Sequence, residues 1–325
     1  MGANIYNNKK PLFLFLLPAF IFMIVFLYFP FFKNIVDSCM KIKQLGISGE
    51  VWNEPWYANY TKLLTDENVR TSLRNTMIMT IVTIFGQALH VGELFTLANY
   101  RKAFENLNIF GAYKNSIFIS TMVCAVVILL AGLASFALVR YHFKLRNILY
   151  MLVVAGMMFP AFATVIPVYT MEVSWGIAGT KNWWLSMLSV ILPQVAGNLS
   201  FAIIVLTGYI RSLTIELEEA AFMEGGGPVQ IFFRVIVPLT KPSFATVAIF
   251  SFLWSYNDLF TQMFFLRRPE VMAITRLLNE LTSNEGTDYG LMAAAVSLVV
   301  VPVLIVYIFM QKYIIKGMTA GAVKG

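Results

Sequence analysis

The sequence predicts an all-α, polytopic helical membrane protein with six full-length spans and one interrupted apolar segment. Three observations lead there. Of the 325 residues, 58% are hydrophobic and only 13% charged, against roughly 25% charged in a soluble domain. Several apolar windows exceed the roughly 20 residues with which a helix crosses about 30 Å of hydrocarbon. Nowhere do segments of barrel-strand length alternate apolar and polar residues, as a transmembrane β-barrel requires.

The first apolar run, Pro11 to Phe32, follows Lys9 and Lys10. It is long for a secretory signal and lacks a small-residue cleavage site, so it reads as a retained span. Ser116 to Val139, Ile148 to Met171, Trp184 to Ile210, Phe244 to Phe265 and Leu291 to Ile314 supply the other five. A further stretch, Met77 to Ala98, is interrupted by His90, Gly92 and Glu93 after about 13 apolar residues, short of a crossing. Arg140, His142, Lys144 and Arg146 cluster between the second and third spans, and such positive loops stay cytoplasmic. Lys9 and Lys10 place the N-terminus on the same side. An even number of crossings must separate the two clusters, so Met77 to Ala98 is expected to lie along or dip into the outer face. Both termini are then cytoplasmic. The competing reading is a tilted seventh span with the N-terminus outside.

The net charge of +7 falls between spans rather than on one polar face, so it sets topology against membrane lipid and implies no nucleic-acid partner. Cys39, Cys124, His90 and His142 stand apart from one another, which leaves no metal or redox cluster. Nucleotide-binding, zinc-protease and Ser/His/Asp spacings are missing too. The reading is a protein that is not an enzyme and carries no cofactor.

A weak direct repeat sets Asn59-Tyr60-Thr61-Lys62 over Asn99-Tyr100-Arg101-Lys102, and Asn75-Thr76 over Asn115-Ser116. Asn and hydroxyl residues cap helix starts by accepting orphan backbone N–H groups, so each pair reads as the entry to an apolar run.

Residues 211–242 are too polar to insert and too patterned to be disordered. Thr214 is placed to cap a helix, Glu216, Glu218 and Glu219 favour its positive end, and Gly225 suits the left-handed residue that stops it. Phe232, Phe233, Ile236 and Val237 form a second apolar stripe, broken by Pro238. Such an element can lie parallel to the bilayer on the cytoplasmic side and plug into a partner. Periodicity alone serves an ordinary amphipathic connector equally well.

Polar residues inside spans are costly and line cavities or bond between helices. Gln194, Asn198, Asn257 and Asp258 are the candidates for a translocation path, with interhelical hydrogen bonding as the other reading. Pro160, Pro167 and Pro193 interrupt helices. Met157-Met158-Phe159 reads as packing, with an adaptable apolar face toward the cargo as the lesser reading, and Trp175, Trp183 and Trp184 as interfacial anchors.

The run Glu219-Ala220-Ala221, then Glu224-Gly225-Gly226, then Ile236-Val237-Pro238-Leu239 resembles the EAA loop of ABC importer permeases. Glu224 stands where that loop usually has Asp, and Gly226 where it has Ala. Phe252-Leu253-Trp254-Ser255-Tyr256-Asn257-Asp258 is similar to the family's Phe-x-x-x-Trp-Asn-Asp stretch, and Gly317 to Gly325 to the tail of the smaller, maltose-type sugar permeases. The resemblance covers about residues 99–325. Met1 to about Gln87 instead looks like the start of the larger sister permease, and the chain divides into an N-terminal part, 1–98, and a permease domain, 99–325.

The resemblance implies a type I ABC importer transmembrane fold in the bacterial inner membrane, forming the path for a sugar. Its implied partners are ABC ATPase subunits, a sister permease subunit and an extracytoplasmic sugar-binding protein. By motif position Glu219, Ala220, Ala221, Glu224, Gly225, Gly226 and Pro238 couple to the ATPase, and the tail lies near the ATPase interface. The competing function is a non-transporting membrane scaffold or regulatory protein that keeps the permease fold.

Overall fold

The computed structural model describes residues 10–44, 47–52 and 108–277, with residues 54–55, 57–59, 61, 100–101, 104, 297–300, 302–305 and 308. Met77 to Ala98 and the tail from Gly317 lie outside the described residues, as do Asn75 and Thr76 of the repeat's first copy and Asn99 and Lys102 of its second.

The first span runs as α1 (Lys10–Met23), a π turn (Ile24–Tyr28) and α2 (Phe29–Ser38). Its apolar part, Pro11–Lys33, is long enough to cross a membrane. Beyond it lies an antiparallel ribbon of β1 (Met40–Gln44) and β2 (Ile47–Trp52). The alternation Met40-Lys41-Ile42-Lys43 carries the two-residue period of a strand and is far shorter than a barrel strand.

α3 (Ile109–Arg140) and α6 (Trp183–Ser212) are the two long apolar helices at the centre. α3 begins well before Ser116 because Asn108 caps it: the Asn108 side chain accepts from Gly111 N at 3.0 Å. Asn115 and Ser116, which the sequence pattern marks as caps, therefore sit inside the helix. The span expected over Ile148 to Met171 is two helices, α4 (Arg146–Gly156) and α5 (Ala161–Ser174). They part at Met157–Pro160, where Pro160 has no N–H to give. Pro167 and Pro193, by contrast, stay inside α5 and α6.

After α6 come α7 (Glu216–Met223), then α8 (Pro228–Ile231), a π turn (Phe232–Ile236) and α9 (Val237–Leu239). The expected span over Phe244 to Phe265 is divided at Asp258 into α10 (Lys241–Asn257) and α11 (Leu259–Phe265). Within the sixth expected span, residues 297–300 and 302–305 are helical.

α3 packs most extensively on α6, with α10 and α1 beside it. Small residues allow that approach: Ala131, Ala134, Ser135 and Ala137 on α3 and Ala196, Ser200 and Ala202 on α6 are fully buried. Ser135 Oγ donates across the interface to Ile203 O at 3.1 Å. Gly132 is held by a close approach, since a Cβ there would meet the Phe244 ring at 2.9 Å and Phe232 at 3.1 Å. Toward the C-terminal end of α3, Phe15, Phe136, Tyr141 and Phe232 form one aromatic cluster, with Phe15–Phe136 and Phe136–Phe232 centroids 5.4 Å apart. That cluster seats the segment after α7 on the helix core.

Candidate coupling site and translocation path

α7 is the first turnable piece of chain after the long helix α6. Three acids, Glu216, Glu218 and Glu219, occupy its first turn, where the helix dipole favours negative charge. Thr214 does not cap it. The N-cap is Ile215, which offers no side-chain oxygen, and no side chain bonds the cap N–H groups.

Gly225 ends the helix as expected, with φ of +87°. Its N–H bonds to Phe222 O at 2.9 Å and the next N–H, of Gly226, to Ala221 O at 3.0 Å, the paired closure of a helix C-terminus. A Cβ at Gly226 would lie 2.8 Å from Ala221 O, so this turn is tight where the motif usually carries Ala.

The segment has two sides. Phe232 and Ile236 are buried, while Phe233 turns out to solvent because the π turn rotates the stripe. Among the sequence-expected coupling residues, Ala220, Glu224, Gly225 and Pro238 are exposed, and Glu219, Ala221 and Gly226 half-buried. Leu217, Phe222 and Met223 add exposed apolar surface, Met223 being 80% exposed. Residues 228–239 meet α10 at 82°, so the element runs nearly across the direction of the span that follows it.

Arg140, at the end of α3, approaches Glu218 Oε1 at 2.6 Å through both Nε and Nη2. Its Nη2 also donates to Leu213 O at 3.1 Å. Sequence reasoning gave Arg140 only a topological role, because nothing in a linear pattern joins residues 140 and 218.

The candidate path residues separate into two groups. Gln194 Nε2 donates to Asp258 Oδ2 at 2.8 Å, and Gln194 Oε1 accepts from Ser255 Oγ at 2.5 Å. Asp258 Oδ1 caps α11 by accepting from Thr261 N at 3.0 Å. Gln262 extends the network, donating to Ser255 O and accepting from Thr275 Oγ1. Asn198 Nδ2 bonds to Gln194 O, one turn back on α6, at 2.8 Å. Asn257 stays apart, exposed and bonded to Leu253 O of its own helix. Gln194, Asp258, Ser255 and Gln262 thus knit α6 to the break between α10 and α11.

Beside this network lies a cavity of about 130 Å³. Its lining includes Phe26 and Leu27 of the first π turn, Met157 and Phe159 at the α4–α5 break, Thr164, Pro193, Gly197, Thr261 and Phe265. Gln194, Asn198 and Asp258 do not line it; their neighbours Pro193, Gly197 and Thr261 do. Met157 and Phe159, read from sequence as packing, face the cavity.

The tryptophans lie at the opposite ends of their helices from α7. Trp183 Nε1 donates to Asn115 Oδ1 at 3.0 Å, Phe118 packs against Trp183 and Trp184, and Trp184 is 65% exposed. Asn115 Nδ2 in turn bonds to Glu270 O and Met272 O, and Ser116 Oγ accepts from Ile274 N at 2.8 Å.

Residues 128–320 match the family model described as the binding-protein-dependent transport system inner membrane component. The chain belongs to that family. It is a multi-pass inner-membrane permease subunit and supplies no catalytic group. A putative ABC transporter permease of a Caldicellulosiruptor strain is 32% identical over 71% of this chain and 81% of its own length. An osmoprotective compounds uptake permease of Synechocystis is 32% identical over 74% and 79%. A melibiose, raffinose and stachyose import permease of Bacillus subtilis is 29% identical over 70% and 80%. The fold matches a chain of a bacterial ABC transporter that imports alginate, with a TM-score of 0.58, 19% identity, and coverage of 78% of this chain and 97% of that one.

Proposed function

We propose that this permease forms half of the transmembrane path of an ATP-driven sugar importer and takes its energy from a separate ATPase subunit docked on α7. The observation that carries the reading is the construction of α7. It is a stopped helix, fixed from inside through Glu218, that presents Ala220 and the apolar Leu217, Phe222 and Met223 outward. Exposed apolar side chains on a polar rim mark a protein contact. Glu219 and Glu224 supply that rim, Gly225 and Gly226 turn the chain out of α7, and Pro238 stands in α9 just before the bend into α10.

Alternating access is the mechanism this reading carries. ATP draws two partner ATPases together, the docked helices move with them, and the spans reopen toward an external sugar-binding protein. A sister permease completes the path. Both termini and α7 lie on the cytoplasmic side, with Trp175, Trp183 and Trp184 at the outer interface.

A sugar is favoured as substrate by relatives named for melibiose, raffinose and stachyose, for diacetylchitobiose and for alpha-glucosides. The cavity lining is compatible with one, since it combines the aromatic side chains Phe26, Phe159 and Phe265 with the hydroxyl residues Thr164 and Thr261. Gln194, Asn198 and Asp258 stand beside its lining residues Pro193, Gly197 and Thr261, whereas Asn257 is exposed and bonded within its own helix.

Gentle purification of the tagged protein from its native membrane, followed by mass spectrometry, tests the assignment. An ATPase, a second permease and a sugar-binding protein are expected with it. Recovery of the chain alone from membranes in which it is abundant would refute it.

A further inference from the structure

A surface helix that only connects two spans needs no internal anchor, yet α7 has one. Arg140 presents two nitrogens to Glu218 Oε1 at 2.6 Å and a third bond, at 3.1 Å, to Leu213 O in the connector before α7. The Glu218 side chain is 1% exposed and that of Arg140 9%. A guanidinium is planar and holds its partners in a fixed fork, which an ammonium does not. A desolvated pair also resists separation, because either charge left alone is strongly unfavourable.

The anchor lies at the end of a rod. α3 has 32 residues and no break, so it is about 48 Å long. Its far end is fastened as well: Asn115 holds Glu270 O and Met272 O, and Ser116 holds Ile274 N. The connector at Leu213–Ile215, by contrast, has no regular structure of its own to carry a push.

We propose that Arg140 is a positioning residue for energy coupling. Its ion pair with Glu218 makes α7 and α3 one rigid body, so that movement of the ATPase reaches the outer end of α3 instead of being absorbed in the connector. The proposal rests on α7 being the ATPase-docking helix.

The test uses the complete complex, with its ATPase, sister permease and binding protein, reconstituted in proteoliposomes. Sugar moved per ATP hydrolysed is the primary readout. For Arg140→Gln the ratio should fall about tenfold or more, within the usual range of coupling between sites. Arg140→Lys, which keeps the charge and loses the fork, should fall between Arg140→Gln and the native protein. A native ratio in either variant overturns the proposal.

A second readout separates coupling from mere stability. Spin labels at Glu216→Cys and Lys114→Cys, both exposed positions at opposite ends of the proposed rigid body, should report one distance that nucleotide does not change. In the Arg140→Gln background the distance should broaden and shift with nucleotide; an equally fixed distance there overturns the proposal. Co-purification of Met223→Asp keeps the underlying reading distinct. If the ATPase follows that variant as it follows the native chain, the docking assignment itself has failed. If the ATPase is lost from Met223→Asp while Arg140→Gln keeps its ratio, only the role of Arg140 has failed.

Discussion

Replacing Gly225 isolates one physical effect. The residue ends α7 with φ of +87°, and a Cβ built there meets nothing within 4 Å. Gly225→Ala therefore adds no clash and no new contact; it adds only the cost of holding an L-residue in left-handed backbone, about 1–2 kcal/mol. That cost reduces the ratio of correctly closed to opened helix end by roughly 5- to 30-fold. Since the closed end fixes where Met223 and Glu224 point, the loss falls on docking. Asn enters this region more readily than Ala, so Gly225→Asn should lie between Ala and the native residue. The assay is sugar uptake and binding-protein-stimulated ATP hydrolysis by the reconstituted complex. Native rates in Gly225→Ala would refute the reasoning. So would Gly225→Asn being the worse of the two, which would make side-chain size rather than backbone conformation the determinant.

Other outcomes follow from the packing and the polar network. Gln194→Leu removes the partner of Asp258 Oδ2 and of Ser255 Oγ and should destabilise the purified permease by about 1–3 kcal/mol, read as a lower midpoint in detergent. An unchanged midpoint would show that the network carries no weight. Gly132→Val drives a side chain into the Phe244 and Phe232 rings and should cost about 1–3 kcal/mol, visible as reduced yield and melting temperature; native behaviour would mean that the rings are loosely held. In a background with Cys39 and Cys124 replaced, an impermeant thiol reagent should label Lys181→Cys in intact cells and Lys144→Cys only after permeabilisation. The reverse pattern would invert the topology.

The long apolar helices were legible because their signal is local and repeated. Pro11 to Phe32, Ser116 to Val139 and Trp184 to Ile210 each carry enough apolar residues to announce themselves, and the stop at Gly225 follows from one residue's freedom at positive φ. The breaks were less legible. Pro160 and Pro193 look alike in sequence, yet only the first parts two helices, since neighbouring packing decides whether a proline's missing N–H is tolerated. The division at Asp258 hides in the same way, because an Asp in an apolar run reads equally as path, partner or cap until Gln194 and Thr261 are beside it. The Arg140–Glu218 pair was beyond reach altogether. Each residue has a sufficient local explanation, as a topology determinant and as a helix-start acid, and only the fold brings them to 2.6 Å. Asn115 likewise looked like a cap and is a mid-helix clamp, because Asn108 had already started α3.

Site-specific photo-crosslinking tests the docking of α7 most directly. A photoreactive residue at Met223, the most exposed apolar position of α7, is expected to give an adduct with the ATPase subunit in native membranes, whereas one at Lys181, at the other end of α6, is expected to give none. ATPase adducts absent from Met223 in an intact, transporting complex, or equally abundant from both positions, would contradict the assignment of α7 as the coupling helix.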